Sequence, residues 1–574
     1  MKSIMRHIST YKGMIFIVIG LIFAQALAEL LLPTLMGKIV DDGIVLGDIP
    51  YIWKIGGLML LVTALTVAVA IIASYYSSRV AMGIGRDLRR NVFQHINEFS
   101  LQEFDHIGTA SLITRTTNDV TQIQQAAIMM LRLVVMAPIM LAGGIIMAVS
   151  KDAKLSLIIL ATMPVLIIAI AAVLKFGMPL FKAVQRRLDR LNLVMRENLT
   201  GVRVIRAFHK EEEEKERLQK ANKNLTDISI KVNKLMAFAM PFIMLVMNLT
   251  IVAVLWFGGI RIDNGNMHIG DLMAFIQYVM LILFALVMAS MMFIIIPRAS
   301  VSVNRINEVL QTMPALDDDG KEKIKGRPES LSFDHVTFQY PGADRPALRD
   351  ISFTAKRGQT TAIIGGTGSG KTSLLNLIPR FYDVTEGNIL LDSRDIKELR
   401  IEDLRKNLGL VPQKTQLFSG TIAQNLQQGK NNASLEELKE AAEIAQAKEF
   451  IEDLPEQYEA AVEQGASNFS GGQRQRLSIA RAIVRKPNVY LFDDSFSALD
   501  YRTDAKLRKA LEKVTKNAIV LIVAQRVSTV LDADQIIVLD HGEIAGIGTH
   551  EELLEANEVY QEIVASQFGE GELA

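Results

Sequence analysis

Residues 365 to 372 read GGTGSGKT, and those residue types at that spacing suit the handling of phosphate. Glycines let backbone N–H groups converge on an anion, a helix N-terminus adds a favourable dipole, Lys371 supplies a point charge, and the Thr372 hydroxyl can ligate Mg²⁺. A second stretch, NVYLFDD, is an apolar run ending in Asp493 and Asp494, where an acid can hold the Mg²⁺ water shell that phosphoryl transfer requires. Strand ends often carry acids, so this run gains weight from its pairing with the loop. A third, NFSGGQRQRLSIARAIV (468 to 484), opens a helix at Ser470, Gly471 and Gly472. That is either an anion-binding N-terminus or an ordinary helix cap.

The elements around these stretches can position them. The strand-like TTAII enters the glycine loop and the helical TSLLNLI leaves it, the context a phosphate-binding loop needs. From about residue 331 to the end at 574, short β-rich runs alternate with amphipathic helices, which reads as an α/β domain. The polar stretch at about 311 to 330 reads as a linker.

Residues 1 to about 310 have a different composition. Six apolar segments, near 13–36, 52–78, 127–149, 155–178, 235–260 and 269–297, are each long enough, at about 20 residues, to cross a hydrocarbon core of about 30 Å. The alternative is a set of buried core helices, but soluble helices rarely run so long without charge. The fold class expected is therefore an all-α six-helix transmembrane domain fused to an α/β nucleotide-binding domain of the P-loop NTPase type. The short connections DDGIVLGDIP, SKDAK and RIDNGNMHIG belong outside. The stretches 79–126 and 175–234, rich in Lys and Arg, belong in the cytoplasm together with both termini. These two long loops keep helical spacing and have turning points near LQEFDHIGTASLI and ENLTGVRVIRAF, where Gly108 and Gly201 interrupt the pattern. Such turns could dock on a cytoplasmic domain, or be solvated helical hairpins.

Glu29 lies inside the first apolar segment, where an ionised side chain costs about 2.5 to 3.5 kcal/mol at a helix centre. It could bind a cationic substrate, or be a neutral or interfacial carboxyl that only packs. The 25 Met residues suit an adaptable apolar pocket and equally suit lipid-facing surface. Lys+Arg and Asp+Glu balance at 62 each, so no bulk field points to nucleic acid as a partner. Cys is absent, which excludes disulfides, thiolate metal sites and a Cys nucleophile.

Taken in order, GGTGSGKT, VPQ, FSGGQ, LFDD, SALD and VAQ resemble the full motif set of an ATP-binding cassette domain. With six preceding spans and two long cytoplasmic loops, nearly the whole chain resembles a type IV ABC exporter half-transporter. The resemblance implies ATP and Mg²⁺ as ligands. Tyr340 is similar to the aromatic that stacks on adenine. The nucleotide would lie on Gly365, Gly366, Thr367, Gly368, Ser369, Gly370, Lys371, Thr372 and Ser373. Mg²⁺ would be held by Thr372, Gln413 and Asp493, and the two turning points would be coupling helices. Ser470, Gly472 and Gln473 would act in trans on a partner's γ-phosphate, and Asp500 would end the loop that crosses the dimer.

Two positions depart from that pattern. Asp494 stands where the family usually has a catalytic glutamate, and Gln525 where it has a switch histidine. A general base one methylene short works poorly, because a misplacement of about 1 Å can cost about a hundredfold in rate. Glutamine cannot titrate near neutral pH. With an intact signature, this combination resembles the BmrC-like subunit of heterodimeric bacterial multidrug exporters. The partner would carry the intact glutamate, the cargo would be a hydrophobic drug-like molecule, and the site would be the bacterial cytoplasmic membrane. A homodimer with two slow sites, a lipid or lipid-linked precursor flippase, and a regulatory subunit that binds ATP without transport remain alternatives. Fusion of the two halves on one chain argues against an importer.

Overall fold

The computed structural model describes residues 9–316, 320, 322–324 and 326–567, the side chain of residue 294 excepted. The terminal residues for which a cytoplasmic location is expected, and parts of the expected linker, lie outside the described residues. By contacts the chain divides into two compact units, one of residues 1–97 and 110–312 and one of residues 98–109 and 313–574.

The first unit is built from long helices: α1 (Lys12–Lys38) and α2 (Ile49–Asn97) at its start, then, after the short helix α3 (Leu101–Ile107) of the second unit, α4 (Val120–Lys151), α5 (Leu157–Thr200), the short α6 (Val202–Ala207), α7 (Glu211–Asp263) and α8 (Ile269–Gln311). Among the described residues, six helical stretches are long and apolar enough to cross a membrane. At about 1.5 Å per residue, the 49 residues of α2 span more than twice the roughly 30 Å a hydrocarbon core demands. Only 6% of its apolar window is buried, and Leu58, Leu60, Leu61, Leu65, Val67 and Ile71 are exposed. A helix that presents this much apolar surface all round needs lipid or another chain against it, which decides against soluble core helices. The first unit is thus a multi-pass membrane domain.

Polar contacts fasten the helix ends. Asp152, just past α4, is buried and accepts a hydrogen bond from Arg261 Nε of α7 at 2.5 Å. Lys151 pairs with Asp271 of α8 at 2.7 Å. Pro33 interrupts the α1 hydrogen-bond ladder, and beside it the buried Tyr278 of α8 donates to the Leu30 carbonyl at 2.8 Å.

The second unit carries two main sheets. β1 (Ser330–Phe338), β2 (Leu348–Lys356), β4 (Glu386–Leu391) and β5 (Arg394–Asp395) form an antiparallel sheet in the order β2-β1-β4-β5. The central sheet contains β3 (Thr360–Gly365), β6 (Leu408–Val411), β9 (Val489–Asp493), β10 (Ile519–Val523), β11 (Gln535–Asp540) and β12 (Glu543–Gly548), in the order β12-β11-β3-β10-β9-β6. All its pairings are parallel except β11 with β12. β9 and β10 are buried at every position, as apolar strands covered on both faces must be. A two-stranded ribbon, β7 (Gly420–Thr421) with β8 (Ala461–Val462), lies apart. The helices used below are α9 (Lys371–Leu377), α10 (Gly471–Val484), α11 (Tyr501–Thr515) and α12 (Glu558–Ala565).

α3 belongs to this second unit although α2 and α4 flank it in sequence. Ser100 and Glu103 close a capping box at its start, and Gly108, with φ +82, ends it in a conformation that L side chains rarely adopt. Glu103 Oε1 also accepts from the Ala315 N–H at 3.1 Å, and Asp105 accepts from the Tyr382 hydroxyl.

Candidate nucleotide site

The glycine loop connects the end of β3 to the start of α9. Gly368 and Gly370 have φ of +83 and +100, and a Cβ on Gly370 would lie 2.8 Å from the Ala347 carbonyl oxygen, so the turn requires glycine there. Lys371 is buried at the helix start. Its ammonium donates to the carbonyls of Gly365 at 2.8 Å and Gly366 at 2.6 Å, and reaches Ser369 Oγ at 3.4 Å. Burial pushes the Lys371 ammonium below the usual lysine range, while the charges of Asp494 and Asp493 oppose that shift.

β9 brings the acids to this loop. Thr372 Oγ1 donates to Asp493 Oδ1 at 3.1 Å, joining the first turn of α9 to the strand end. Burial, and then repulsion from Asp494, raise the Asp493 carboxyl above the usual range, against the Thr372 hydrogen bond and the Lys371 charge. Asp494 turns out of the sheet with φ +47, its N–H donating to the Val523 carbonyl at 3.0 Å. Its Oδ2 accepts from Gln413 Nε2 at 3.3 Å. Hydroxyl, carboxylate and amide oxygens are the hard donors that Mg²⁺ takes, so Thr372, Asp493 and Gln413 fit that ion by chemistry. Gln525, exposed, lies two residues past β10, the strand between β3 and β9.

Tyr340 is tied to the loop's helix, its hydroxyl 3.0 Å from Ser373 Oγ. Its ring meets Phe338 edge-on at 4.7 Å and Tyr382 at 5.3 Å. Nothing in the spacing of RFYDV (380 to 384) marks Tyr382 in the sequence.

The third stretch makes a helix start of its own. Ser470 caps α10, its hydroxyl accepting from the Gln473 N–H at 3.3 Å while Gln473 Oε1 accepts from the Ser470 N–H at 2.9 Å. A Cβ on Gly472 would lie 3.2 Å from the Ala498 carbonyl, so the α10 start packs against the segment leading to Asp500. Asp500 caps α11 through the Thr503 N–H at 2.9 Å. Ser470 and Asp500 are both exposed. The chain therefore gathers Lys371, Thr372, Gln413, Asp493 and Asp494 in one place, and presents its Ser-Gly-Gly helix start to solvent.

In the membrane unit, Glu29 accepts from Gln25 Nε2 at 2.9 Å. It lines a groove of about 470 Å³ with Leu32, Pro33, Met247, Gln277 and Phe284 among its walls. Glu29 is the one charged residue in that lining.

Comparison with known proteins fits this geometry. Residues 15–307 match the model of the ABC transporter transmembrane region, and residues 348–497 match that of the ABC transporter domain. An uncharacterised ABC transporter ATP-binding protein of Mycobacterium tuberculosis is 45% identical over 98% of this chain and 97% of its own length. A putative multidrug export ATP-binding/permease protein of Bacillus subtilis is 31% identical over 99% of both. An ATP-dependent lipid A-core flippase of Aliivibrio fischeri is 29% identical over 99% of this chain and 98% of its own. Among solved structures, a bacterial Atm1-family ABC exporter with ATP bound superposes with a TM-score of 0.80 at 26% identity, covering 98% of this chain and 99% of that one.

Proposed function

This chain belongs to the ABC transporters, as an ATP-hydrolysing translocase with an exporter fold, and from that premise we propose that it is one half of a heterodimeric exporter of hydrophobic or amphipathic molecules. Its own nucleotide site holds ATP and turns it over slowly. Its Ser470, Gly472 and Gln473 complete a faster site on a partner chain that carries a glutamate after its metal-associated acid.

The observation that carries this reading is Asp494. Its carboxylate is one methylene shorter than glutamate and is engaged by Gln413 at 3.3 Å, a poor position from which to activate water. Gln525, two residues past β10, cannot exchange a proton near neutral pH. Mg²⁺, when bound through Thr372, Gln413 and Asp493, supplies charge stabilisation to the β and γ phosphates. Tyr340 offers an aromatic face for adenine.

Two further features support a partner chain. Leu199, Val204 and Phe208, around α6, are 74%, 62% and 73% exposed, which suits docking on the partner's nucleotide domain. The exposed start of α10 suits a phosphate presented from outside this chain. The apolar spans support a location in the bacterial cytoplasmic membrane, and the distribution of Lys and Arg along the sequence supports termini and nucleotide domain on its cytoplasmic side. Glu29, alone in an apolar groove, suits a cargo bearing a positive charge.

ATPase activity of the purified chain alone, beside Asp494→Asn, tests the assignment. Near-background activity in both supports a slow site completed by a partner; robust activity abolished by the substitution would make the chain a homodimeric pump. The lipid A-core flippase among its relatives favours a second reading, lipid translocation. Inside-out vesicles loaded with the assembled pair separate the two, by uptake of a cationic dye against inversion of a fluorescent lipid. Loss of dye uptake in Glu29→Gln with lipid movement unchanged would assign the groove to drug-like cargo.

A further inference from the structure

β10 runs between β3 and β9, so the residues that follow it leave the sheet between the glycine loop and the acidic pair. Ala524 N–H donates to the Ile363 carbonyl at 3.1 Å, and Asp494 N–H donates to the Val523 carbonyl at 3.0 Å. Open α/β sheets bind ligands beyond the carboxyl ends of their strands, and Gln525 is the first side chain past β10 able to hydrogen-bond a phosphate.

What fixes Gln525 comes from the far end of the described chain. Gln567 Nε2 donates to the Gln525 carbonyl at 2.7 Å, and Gln567 Oε1 accepts from the Val527 N–H at 2.8 Å. One side-chain amide thus grips the backbone on both sides of Arg526. Arg526 Nη2 in turn donates to the Ser497 carbonyl at 3.1 Å, and Ser497 Oγ donates to the Asp494 carbonyl at 2.9 Å. These bonds, joined through the covalent chain at residues 525–527 and within Ser497, connect Gln567 to the backbone of Asp494. Gln567 is itself held by α12, whose Tyr560 and Val564 are buried in the same core as Val527 and Val530. Its N–H donates to the Val564 carbonyl at 3.0 Å. Gln567 is exposed, so this amide grips the backbone without contributing bulk to the core.

We propose that Gln567 is a positioning residue: it sets the Gln525 segment, and through Arg526 and Ser497 the Asp494 backbone, so that α12 governs how the site tells a nucleoside triphosphate from a diphosphate. This rests on the functional reading that nucleotide binds at this site. A backbone held at one carbonyl and at the N–H two residues on loses the local freedom that would let Gln525 swing away.

The test is the ratio of ADP to ATP dissociation constants, measured on the purified full chain by displacement of trinitrophenyl-ATP. Gln525→Ala, Gln567→Ala, Gln567→Glu and the Gln525→Ala/Gln567→Ala double variant are compared with the unaltered chain. Gln567→Glu keeps the acceptor for Val527 and loses the donor to Gln525. Each single variant is expected to lower the preference for ATP by about 5- to 10-fold, the scale of one or two hydrogen bonds, with ADP affinity unchanged. The double variant should lose no more than Gln525→Ala alone, since the two act as a unit. A loss in Gln525→Ala with none in the Gln567 variants overturns the proposal, and so do additive losses or an equal fall in ATP and ADP affinity. If Gln525→Ala leaves the ratio unchanged, the placement of the γ-phosphate at Gln525 fails first, and the proposal fails with it.

Discussion

The hydroxyl of Tyr382 donates a hydrogen bond to the carboxylate of Asp105. The bond joins α3, the turn between two long membrane helices, to the aromatic cluster that holds Tyr340. Burial raises the Tyr382 phenol far above its ordinary value, and the Asp105 bond and charge add to the shift. An acid with a raised folded-state pKa keeps its stabilising contribution below the unfolded value, near 10 for tyrosine, and loses it only above that. Tyr382 is therefore a neutral donor throughout the neutral range.

Tyr382→Phe deletes this donor and leaves the ring contacts with Tyr340 and Phe338 in place. The expected outcome in the assembled transporter is ATPase activity without cargo within about 2-fold of normal, with stimulation by cargo cut at least about 5-fold. Asp105→Ala should behave alike. Equal loss of basal and stimulated rates would show that the bond serves the nucleotide site alone.

Asp494→Glu restores the missing methylene. ATPase activity of the purified chain alone should rise by about 10-fold or more if reach to the attacking water is what limits it. In the assembled pair, Ser470→Ala should lower turnover far more than Asp494→Asn. The reverse order would place the working site on this chain's own acids.

Burial, then repulsion from Asp494, raise the Asp493 carboxyl above the usual range against the Thr372 hydrogen bond and the Lys371 charge, so ionising it costs more in the fold than in the unfolded chain. Its neutral form is favoured on folding, so the fold is most at ease below the ordinary aspartate range and loses that advantage as pH rises through the raised pKa. Asp493→Asn should accordingly raise the nucleotide-free melting temperature at neutral pH by about 2 to 4 °C, a gain that disappears near pH 4. The same variant should lose the stabilisation that Mg²⁺-ATP gives the unaltered chain. Scanning fluorimetry across pH, with and without Mg²⁺-ATP, reads both.

In the membrane unit, Arg261 meets an Asp152 carboxylate whose side chain is only 2% exposed. Removing one member of a buried pair leaves a charge without its partner, which costs about 3 to 5 kcal/mol. Arg261→Met should therefore lower detergent thermostability sharply. Asp152→Asn/Arg261→Met should recover much of the loss. No recovery would show that Arg261 contributes through packing rather than by pairing the Asp152 charge, since an amide oxygen at 152 still accepts from the Leu155 N–H, 2.8 Å from Asp152 Oδ1.

The sequence by itself determined the two-part architecture and the nucleotide chemistry, because both are written locally. Span length is set by bilayer thickness and the glycine loop by backbone sterics, so TTAII, GGTGSGKT and NVYLFDD announce strand, loop and strand without help from distant residues. The tertiary structure decided what local spacing cannot express. That α3 packs with the nucleotide domain, that Tyr382 reaches Asp105, and that Gln567 grips the backbone of Gln525 and Val527 depend on residues tens to hundreds of positions apart meeting through side-chain bonds. Such pairs leave no period in the sequence, because only the folded path of the chain brings their donors and acceptors within bonding distance.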